Sequence, residues 1–113
     1  MKENLLFICS RNQWRSPTAE KLFRNHPYYA AKSAGTSPRA RIRLTARLIA
    51  WSDVLLVMER KHQRLVRERF GEVIGDKTVI VLGIEDRYAF GDPALITLLK
   101  EKLADAMGIV WES

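Results

Sequence analysis

A single cysteine, Cys9, directly follows the apolar run at residues 5–8, and five residues separate it from Arg15. A cysteine thiolate is a strong nucleophile, and a nearby positive charge or helix N-terminus favours the thiolate form. An arginine guanidinium presents a planar fork of donors that can bind two oxygens of one phosphoryl group. Cysteine and arginine at this spacing therefore indicate nucleophilic attack on a bound phosphate ester.

The residues that join this cysteine to the arginine form a short loop, and Ser16-Pro17 follows at once. This pair is typical of a helix start, with Ser16 as the N-cap and Pro17 as the first helical residue. Amides of loops and of helix N-termini bind anions. A buried cysteine often packs only as a small apolar side chain, but the loop, the arginine and the helix start together favour a functional site. The predicted phosphate-binding residues are Ser10, Arg11, Asn12, Gln13, Trp14, Arg15 and Ser16.

The elements that must position this loop follow from the apolar pattern. Three apolar runs of four or five residues do not alternate with polar residues, which is typical of parallel strands buried on both faces. A weaker strand at 28–33 is predicted at an edge of the sheet and ends at the turn Ala34-Gly35-Thr36. Helical patterns lie between the strands, and they predict an α/β fold, an open parallel sheet with helices on both faces. The runs are residues 5–8, 54–58 and 79–82, and the helical patterns are residues 16–23, 44–51, 59–70 with Gly71 as its stop, and 92–107.

Composition limits the classes of function. The chain has 113 residues, which predicts one domain, 1–113. Its net charge of +6 and pI near 9.8 favour anionic partners: nucleic acid, acidic membrane or phosphorylated substrates. No apolar run approaches the ~18 residues of a membrane span and no secretory signal is recognisable, so we expect a cytoplasmic protein without membrane association. One cysteine and two histidines leave too few soft ligands for a dedicated metal site, and we expect none.

Residues 9–20 resemble the phosphate loop of the low-molecular-weight protein tyrosine phosphatase family, whose pattern is C-x-x-N-x-x-R-S-P-x-A-E. Three later segments resemble the family in the same order, so the likeness covers almost the whole chain, which is most similar to a compact bacterial-type subgroup. It implies a three-layer α/β fold with four parallel strands in the order 2-1-3-4. The matching residues are Cys9, Asn12, Arg15, Ser16, Pro17, Ala19 and Glu20 in the loop, then Ser33-Ala34-Gly35-Thr36, Val57-Met58 and the acid loop at 84–88.

The resemblance implies a role for each residue of the site. Cys9 attacks phosphorus and forms a phosphocysteine, and Arg15 binds the phosphoryl oxygens together with the amides of residues 10–15. Asn12 braces the loop, Ser16 hydrogen-bonds the thiolate, and no metal or organic cofactor is implied. The implied substrate is phosphotyrosine in a protein, or a small aryl phosphate, and oxyanions such as phosphate or sulfate are expected to bind the loop.

An aspartate is expected to protonate the leaving oxygen, and two are candidates. Asp86 lies four residues beyond Leu82, on the sheet edge where Cys9 lies, and its Ile-x-Asp-x-Tyr context keeps the family spacing. Asp92 precedes Pro93, but that pair is explained by the start of the last helix. We therefore predict Asp86 as the general acid and keep Asp92 as the alternative.

Several positions depart from the family pattern. Arg11 stands where a common member has glycine, Trp14 where many have a second cysteine, and Arg87 where the acid loop has proline. Ala89 replaces a second aromatic residue, so the wall around an aromatic substrate would come from a side chain elsewhere. The candidates are Trp14, Tyr88 and Phe90.

Two other functions remain open at this point. An arsenate reductase can have the same fold, but the thioredoxin-linked kind needs further cysteines. A non-catalytic module that binds phosphate, another anion or nucleic acid would suit the basic charge, although no nucleic-acid-binding motif is present and we expect no such partner. His26 and His62 are interpreted as surface histidines, and residues 109–113 form a tail without a recognisable pattern.

Overall fold

Strands and helices alternate along the computed structural model, which describes residues 1–111. The predicted order of elements is confirmed, from a first strand that leads into the phosphate loop to a last helix that begins after Asp92. The elements are β1 (Glu3–Cys9), α1 (Arg15–Leu22), β2 (Tyr29–Gly35), α2 (Ala46–Trp51), β3 (Val54–Val57), α3 (Arg60–Ile74), β4 (Thr78–Val81) and α4 (Pro93–Met107).

The four strands form one parallel sheet in the order β2-β1-β3-β4, so the predicted α/β fold and strand order are confirmed. Cys9 pairs with Gly35 on one side, and Ile8 pairs with Val57 on the other. This register brings the loops that follow β1, β2 and β3 to one edge of the sheet, where ligands of open α/β sheets bind.

Each face of the sheet is covered by a pair of helices. Alternate residues of β1 point to opposite faces, so Phe7 belongs to the core beneath α1 and α4, whereas Ile8 belongs to the core beneath α2 and α3. The expectation that all three apolar runs are buried on both faces is wrong for the last one, because β4 is an edge strand whose residues are exposed or half-buried.

Two predicted helix boundaries are also wrong. The first helix begins at Arg15 with Trp14 as its N-cap, so Ser16 lies inside the helix and its hydroxyl serves the site instead. The third helix continues past Gly71, with non-helical angles only at Phe70, and ends at Gly75, whose φ of 53° suits glycine.

The last helix has the predicted ends. Asp92 is its N-cap, with Oδ1 accepting a hydrogen bond from the amide of Ala94 at 2.8 Å, and Gly108 ends it in the left-handed conformation. Beyond it, Ile109 is buried in the core, and residues 112–113 of the unassigned tail lie outside the described residues. No helix within residues 1–111 is long and apolar enough to cross a bilayer.

Candidate active site

The thiol of Cys9 lies at the carboxyl end of β1, where only 2% of the residue is exposed. Its Sγ is 3.0 Å from Oγ of Ser16, and the amide of Asn12 donates to it at 3.3 Å. Both groups can donate to a thiolate, and the N-terminus of α1 adds the favourable end of its dipole. The position of this sulfur suits a nucleophile more than a packing residue.

The carbonyls of the phosphate loop are held by the loop that follows β2. In a trans peptide, each N–H points away from the preceding C=O, and no cis peptide occurs among the described residues. The N–H groups of residues 10–13 therefore point away from the loop that follows β2, and the amide of Asn12 donates to Sγ of Cys9. The bonds run from Thr36 N to Cys9 O (2.9 Å), Ser37 N to Ser10 O (2.8 Å), Arg41 N to Arg11 O (3.0 Å) and Arg41 Nε to Asn12 O (3.1 Å).

Asn12 braces this loop from within. It is fully buried and has a φ of 55°, a conformation that asparagine tolerates better than most residues. Its Nδ2 donates to the hydroxyls of Ser16 and Ser33, each at 2.8 Å, and the hydroxyl of Ser33 donates to Glu20. This buried network links the loop to α1 and β2.

Gly35 allows β2 to approach the phosphate loop closely. A Cβ atom at this position would lie 2.5 Å from the carbonyl oxygen of Ser10, 2.6 Å from Cβ of Ala40 and 3.0 Å from the amide nitrogen of Asn12. Such distances are far inside van der Waals contact, so only glycine fits. The sequence match at Ser33-Ala34-Gly35-Thr36 signalled this segment but not its steric reason.

The guanidinium of Arg15 is buried and held by three groups. Nη1 donates to the carbonyl of Ile84 at 2.8 Å and lies 3.3 Å from Oε2 of Glu59, while Nε lies 3.6 Å from Oδ1 of Asp86. Burial alone would raise the pKa of Glu59, but the charges and hydrogen bonds of Arg15 and Lys61 outweigh it and lower that pKa below its usual 4.5. Glu59 is therefore a carboxylate that orients the arginine, a role that sequence reasoning missed.

These side chains open on a pocket of about 240 Å³. Trp14 forms part of its wall and is 46% exposed. Of the other two candidates for that wall, Tyr88 packs against the hydrophobic core, and Phe90 lines a separate cavity beside Lys21. The lining residues are Cys9, Arg11, Gln13, Trp14, Arg15 and Asp86.

The two candidate acids differ in position. Asp86 is exposed in the loop between β4 and α4 and lines the pocket with Cys9. Asp92 is engaged as the N-cap of α4 and does not line the pocket. The geometry favours Asp86 for proton transfer at a group bound to Cys9 and Arg15.

His62 is buried in the first turn of α3, so the expectation of a surface histidine is wrong for this residue. Its Nδ1 accepts a hydrogen bond from the amide of Glu59 at 3.0 Å, and its Nε2 lies 2.8 Å from the hydroxyl of Ser10. Burial and the charges of Arg15 and Lys61 lower the pKa of His62 from 6.5 to about 4, although Glu59 and Asp86 act in the opposite direction.

No group of three or more His, Cys, Asp or Glu side chains that could hold a metal ion occurs within residues 1–111. The groups that could react or bind at this site are the thiol of Cys9, the guanidinium of Arg15, backbone amides of the loop and the carboxyl group of Asp86.

Several solved phosphatase structures are similar to this fold. An arginine phosphatase, YwlE, from Geobacillus stearothermophilus is 25% identical, with a TM-score of 0.69 over 94% of this chain and 93% of that chain. The tyrosine phosphatase Wzb from Escherichia coli K30, in complex with phosphate, is also 25% identical, with a TM-score of 0.70 over 90% and 94%. A low molecular weight protein tyrosine phosphatase from Streptococcus pyogenes shares the fold at 15% identity, with a TM-score of 0.72 over 93% of each chain.

No protein-family model matches the chain, and no curated protein matches it significantly. The structural neighbours nevertheless confirm the resemblance that the sequence motifs indicate. The fold of this chain is that of the low-molecular-weight protein tyrosine phosphatases.

Proposed function

We propose that the chain is a protein tyrosine phosphatase, a cysteine-dependent phosphomonoester hydrolase that works through a phosphocysteine intermediate. The observation that carries this proposal is the single pocket shared by Cys9, Arg15 and Asp86. Neighbours of the same fold are described with phosphate, sulfate or benzylphosphonate bound, and one with a phosphorylated serine in place of its active-site cysteine. Oxyanion binding at the loop is thus supported, and the protein substrate is part of the proposal.

In the first step, the thiolate of Cys9 attacks phosphorus. The S–P bond forms as the bond to the leaving oxygen breaks, and Asp86 gives its proton to that oxygen. The guanidinium of Arg15 and the loop amides bind the phosphoryl oxygens, on which charge develops in the transition state. The products of this step are the free alcohol or phenol and phosphocysteine.

In the second step, water hydrolyses the phosphocysteine. Asp86, now a carboxylate, takes a proton from the water as its oxygen bonds to phosphorus, and the S–P bond breaks. The hydroxyl of Ser16, 3.0 Å from Sγ, stabilises the departing thiolate. Inorganic phosphate leaves, and both catalytic groups return to their starting forms without any metal or cofactor.

Trp14 supports an aryl phosphate as the substrate. Its exposed indole stands in the pocket wall, where it can pack against the ring of a phosphotyrosine whose phosphate reaches the buried Cys9. The second candidate is phosphoarginine, because the arginine phosphatase from Geobacillus is as similar in sequence as the tyrosine phosphatase Wzb. The two substrates differ in the bond to phosphorus, P–O against P–N.

The decisive test is turnover of para-nitrophenyl phosphate in the presence of a chelator, with Cys9→Ser as the matched control. A parallel assay compares a tyrosine-phosphorylated peptide with the same peptide phosphorylated on arginine. Preference for phosphotyrosine supports the proposal, and preference for phosphoarginine would replace the substrate but keep the mechanism. Absence of turnover with all three would overturn the enzymatic function.

The alternatives from the sequence are not favoured. The thioredoxin-linked arsenate reductase needs further cysteines, and this chain has only Cys9. A module that only binds an anion has no use for a thiol placed 3.0 Å from the hydroxyl of Ser16 and 3.3 Å from the amide nitrogen of Asn12. Hydrolytic neighbours of the same fold point in the same direction.

A further inference from the structure

A buried hydrogen-bond bridge connects the phosphate loop to the start of α3. Its centre is His62, which is 0% exposed, and its ends are the hydroxyl of Ser10 at 2.8 Å and the amide of Glu59 at 3.0 Å. Ser10 is the residue next to the nucleophile, and Glu59 is the carboxylate that pairs with Arg15 at 3.3 Å. One helical turn therefore contacts the loop on one side and the phosphate-binding arginine on the other.

The two hydrogen bonds fix which ring nitrogen carries the proton. The amide of Glu59 is a donor, so Nδ1 of His62 must be an unprotonated acceptor. In a neutral ring the proton then lies on Nε2, which donates to Oγ of Ser10. A doubly protonated ring would place two N–H groups opposite each other at Nδ1, so the bridge requires neutral His62.

Ser10 is held from two directions. Its carbonyl accepts from the amide of Ser37 at 2.8 Å, and its hydroxyl accepts from His62. The first bond orients the peptide group that joins Ser10 to Arg11, and the second connects the side chain of Ser10 to α3. The side chain of Ser10 does not line the catalytic pocket, so its hydroxyl acts through the loop rather than on the substrate.

We propose that His62 is a positioning residue of the active site, which locks the phosphate loop to the first turn of α3 through Ser10 while Glu59 in the same turn orients Arg15. This inference rests on the proposed function for its catalytic meaning, but its direct effect is on oxyanion binding. A purely structural histidine would support the helix start alone. A positioning histidine must also change the affinity of the loop for phosphate.

Two substitutions separate the two bonds of the ring. In His62→Asn, the amide oxygen can take the place of Nδ1 and accept from Glu59, but the donor to Ser10 is lost. In His62→Gln, the longer side chain can return an N–H to the place of Nε2. We expect His62→Asn to weaken the binding of inorganic phosphate, measured by calorimetry, by about three- to tenfold, which is the effect of one hydrogen bond. His62→Gln should recover most of that affinity even where it melts at a lower temperature.

A double-mutant cycle then tests whether the effect passes through Ser10. Ser10→Ala should weaken phosphate binding by a similar factor, and adding it to His62→Asn should bring little further loss. Ser10→Thr keeps the hydroxyl and should retain affinity better than Ser10→Ala. His26→Asn, at the other histidine of the chain, is the matched control and should leave phosphate affinity unchanged.

The outcomes are distinguishable from those of the proposed function. Unchanged phosphate affinity in a folded His62→Asn, or losses that simply add in the double variant, would overturn the positioning role. If His62→Asn does not fold, the comparison of Ser10→Ala with Ser10→Thr decides, because equal affinity in these two variants would also overturn it. Nitrogen-15 NMR of the ring should show the Nε2–H form, and an Nδ1–H form would contradict the bridge. Phosphate binding without turnover would leave this inference standing and remove only the enzymatic function.

Discussion

Asp86 and Arg15 form an ion pair at the mouth of the pocket, with Oδ1 of the aspartate 3.6 Å from Nε of the arginine. The proposed general acid thus contacts the same guanidinium that is proposed to bind the phosphoryl group. A phosphate ester bound by that guanidinium would therefore lie close to the carboxyl group of Asp86. The same proximity makes its negative charge unfavourable for a bound oxyanion.

Asp86→Asn removes this charge without changing the size of the side chain. We expect inorganic phosphate to bind more tightly while turnover falls. With a poor leaving group, such as an unactivated phenyl ester, the loss should be about 10²–10⁴-fold, and it should be much smaller with para-nitrophenol, which leaves without protonation. Asp92→Ala is the matched comparison and should lower the melting temperature through loss of the N-cap. If Asp92→Ala shows this dependence on the leaving group and Asp86→Asn does not, the assignment of Asp86 as the general acid is wrong.

Cys9→Ser should abolish turnover, with a loss on the order of 10³-fold or more, because an alcohol at this position is a far weaker nucleophile. The fold and the binding of sulfate should persist, because the loop amides are unchanged. Arg15→Lys should also lose most activity, since an ammonium group cannot reproduce the bidentate fork. Steady-state kinetics with para-nitrophenyl phosphate and calorimetry with sulfate measure both effects, and appreciable activity of the serine variant would exclude the phosphocysteine.

Gly35→Ala tests the close approach of β2 to the loop. The added methyl group would meet the carbonyl of Ser10 at 2.5 Å, so the loop or the strand must move. We expect a destabilisation of about 1–3 kcal/mol, typical of overpacking, together with a larger loss of phosphate affinity. Gly83→Ala, where a Cβ meets no atom within 4 Å but φ is 72°, is a control for backbone strain without a clash. Normal phosphate binding by Gly35→Ala would show that the contact is not needed.

The stability of the protein should depend on pH through His62. The pKa of His62 is about 4 in the folded chain, against the usual 6.5 that applies to the unfolded chain. Between pH 4 and 6.5, the unfolded chain therefore binds one proton more than the folded chain. The histidine contribution is therefore complete above pH 6.5 and is lost progressively as the pH falls towards 4. The groups that surround it are Arg15, Glu59, Lys61 and Asp86.

Urea unfolding at a series of pH values measures this contribution. His62→Gln, which has no titratable ring, should show a smaller loss of unfolding free energy between pH 6.5 and 4.5 than the parent chain. Below 4.5 the lowered pKa of Glu59 adds its own loss, so the histidine effect is best separated above that value. Parallel pH curves for the two proteins would show that His62 does not titrate in this way.

Oxidation of Cys9 by peroxide should inactivate the enzyme, because no second cysteine can protect the thiol by forming a disulfide. Trp14 stands where many relatives have a second cysteine, and Cys9 is the only cysteine of the chain. A sulfenic acid at Cys9 therefore has no intramolecular thiol with which to form a disulfide, and further peroxide carries it to sulfinic acid. We expect recovery by added thiol to fall as exposure to peroxide lengthens, and bound phosphate to slow the loss. Full recovery after long exposure would contradict this expectation.

The sequence was sufficient to predict most of the fold and the centre of the site. Apolar runs identified β1, β3 and β4, although β4 is an edge strand that is not fully buried, and the spacing of Cys9 and Arg15 within one short segment identified the phosphate loop. Such local patterns are readable because neighbours in sequence are also neighbours in space. The position of Asp86 four residues beyond Leu82 and the family spacing at 84–88 both placed it near them.

What sequence reasoning missed depends on contacts between distant segments. Ser16-Pro17 is typical of a helix start, but the helix begins earlier, at Arg15, so the N-cap predicted at Ser16 is wrong. The hydrogen bond between its hydroxyl and Sγ of Cys9, which the family resemblance implied, is present. The arginine-rich composition of residues 59–70 favours a solvated face, so His62 is predicted at the surface, although it lies four residues before the buried Val66 on the same side of α3. The hydrogen bond between its ring and Ser10 joins residues 52 positions apart, and the sequence pattern does not predict it.

The hydrogen bonds between the loop after β2 and the carbonyls of residues 9–12 order the phosphate loop before any ligand binds. The conformational entropy of the phosphate loop is lost when the chain folds rather than when an oxyanion arrives, so binding requires little further ordering. The same arrangement makes catalysis depend on a segment that holds no catalytic group. Cleavage of the backbone within residues 37–43 would release the carbonyls of the phosphate loop and allow its amides to turn. We expect this cleavage to abolish activity although every reacting side chain is still present.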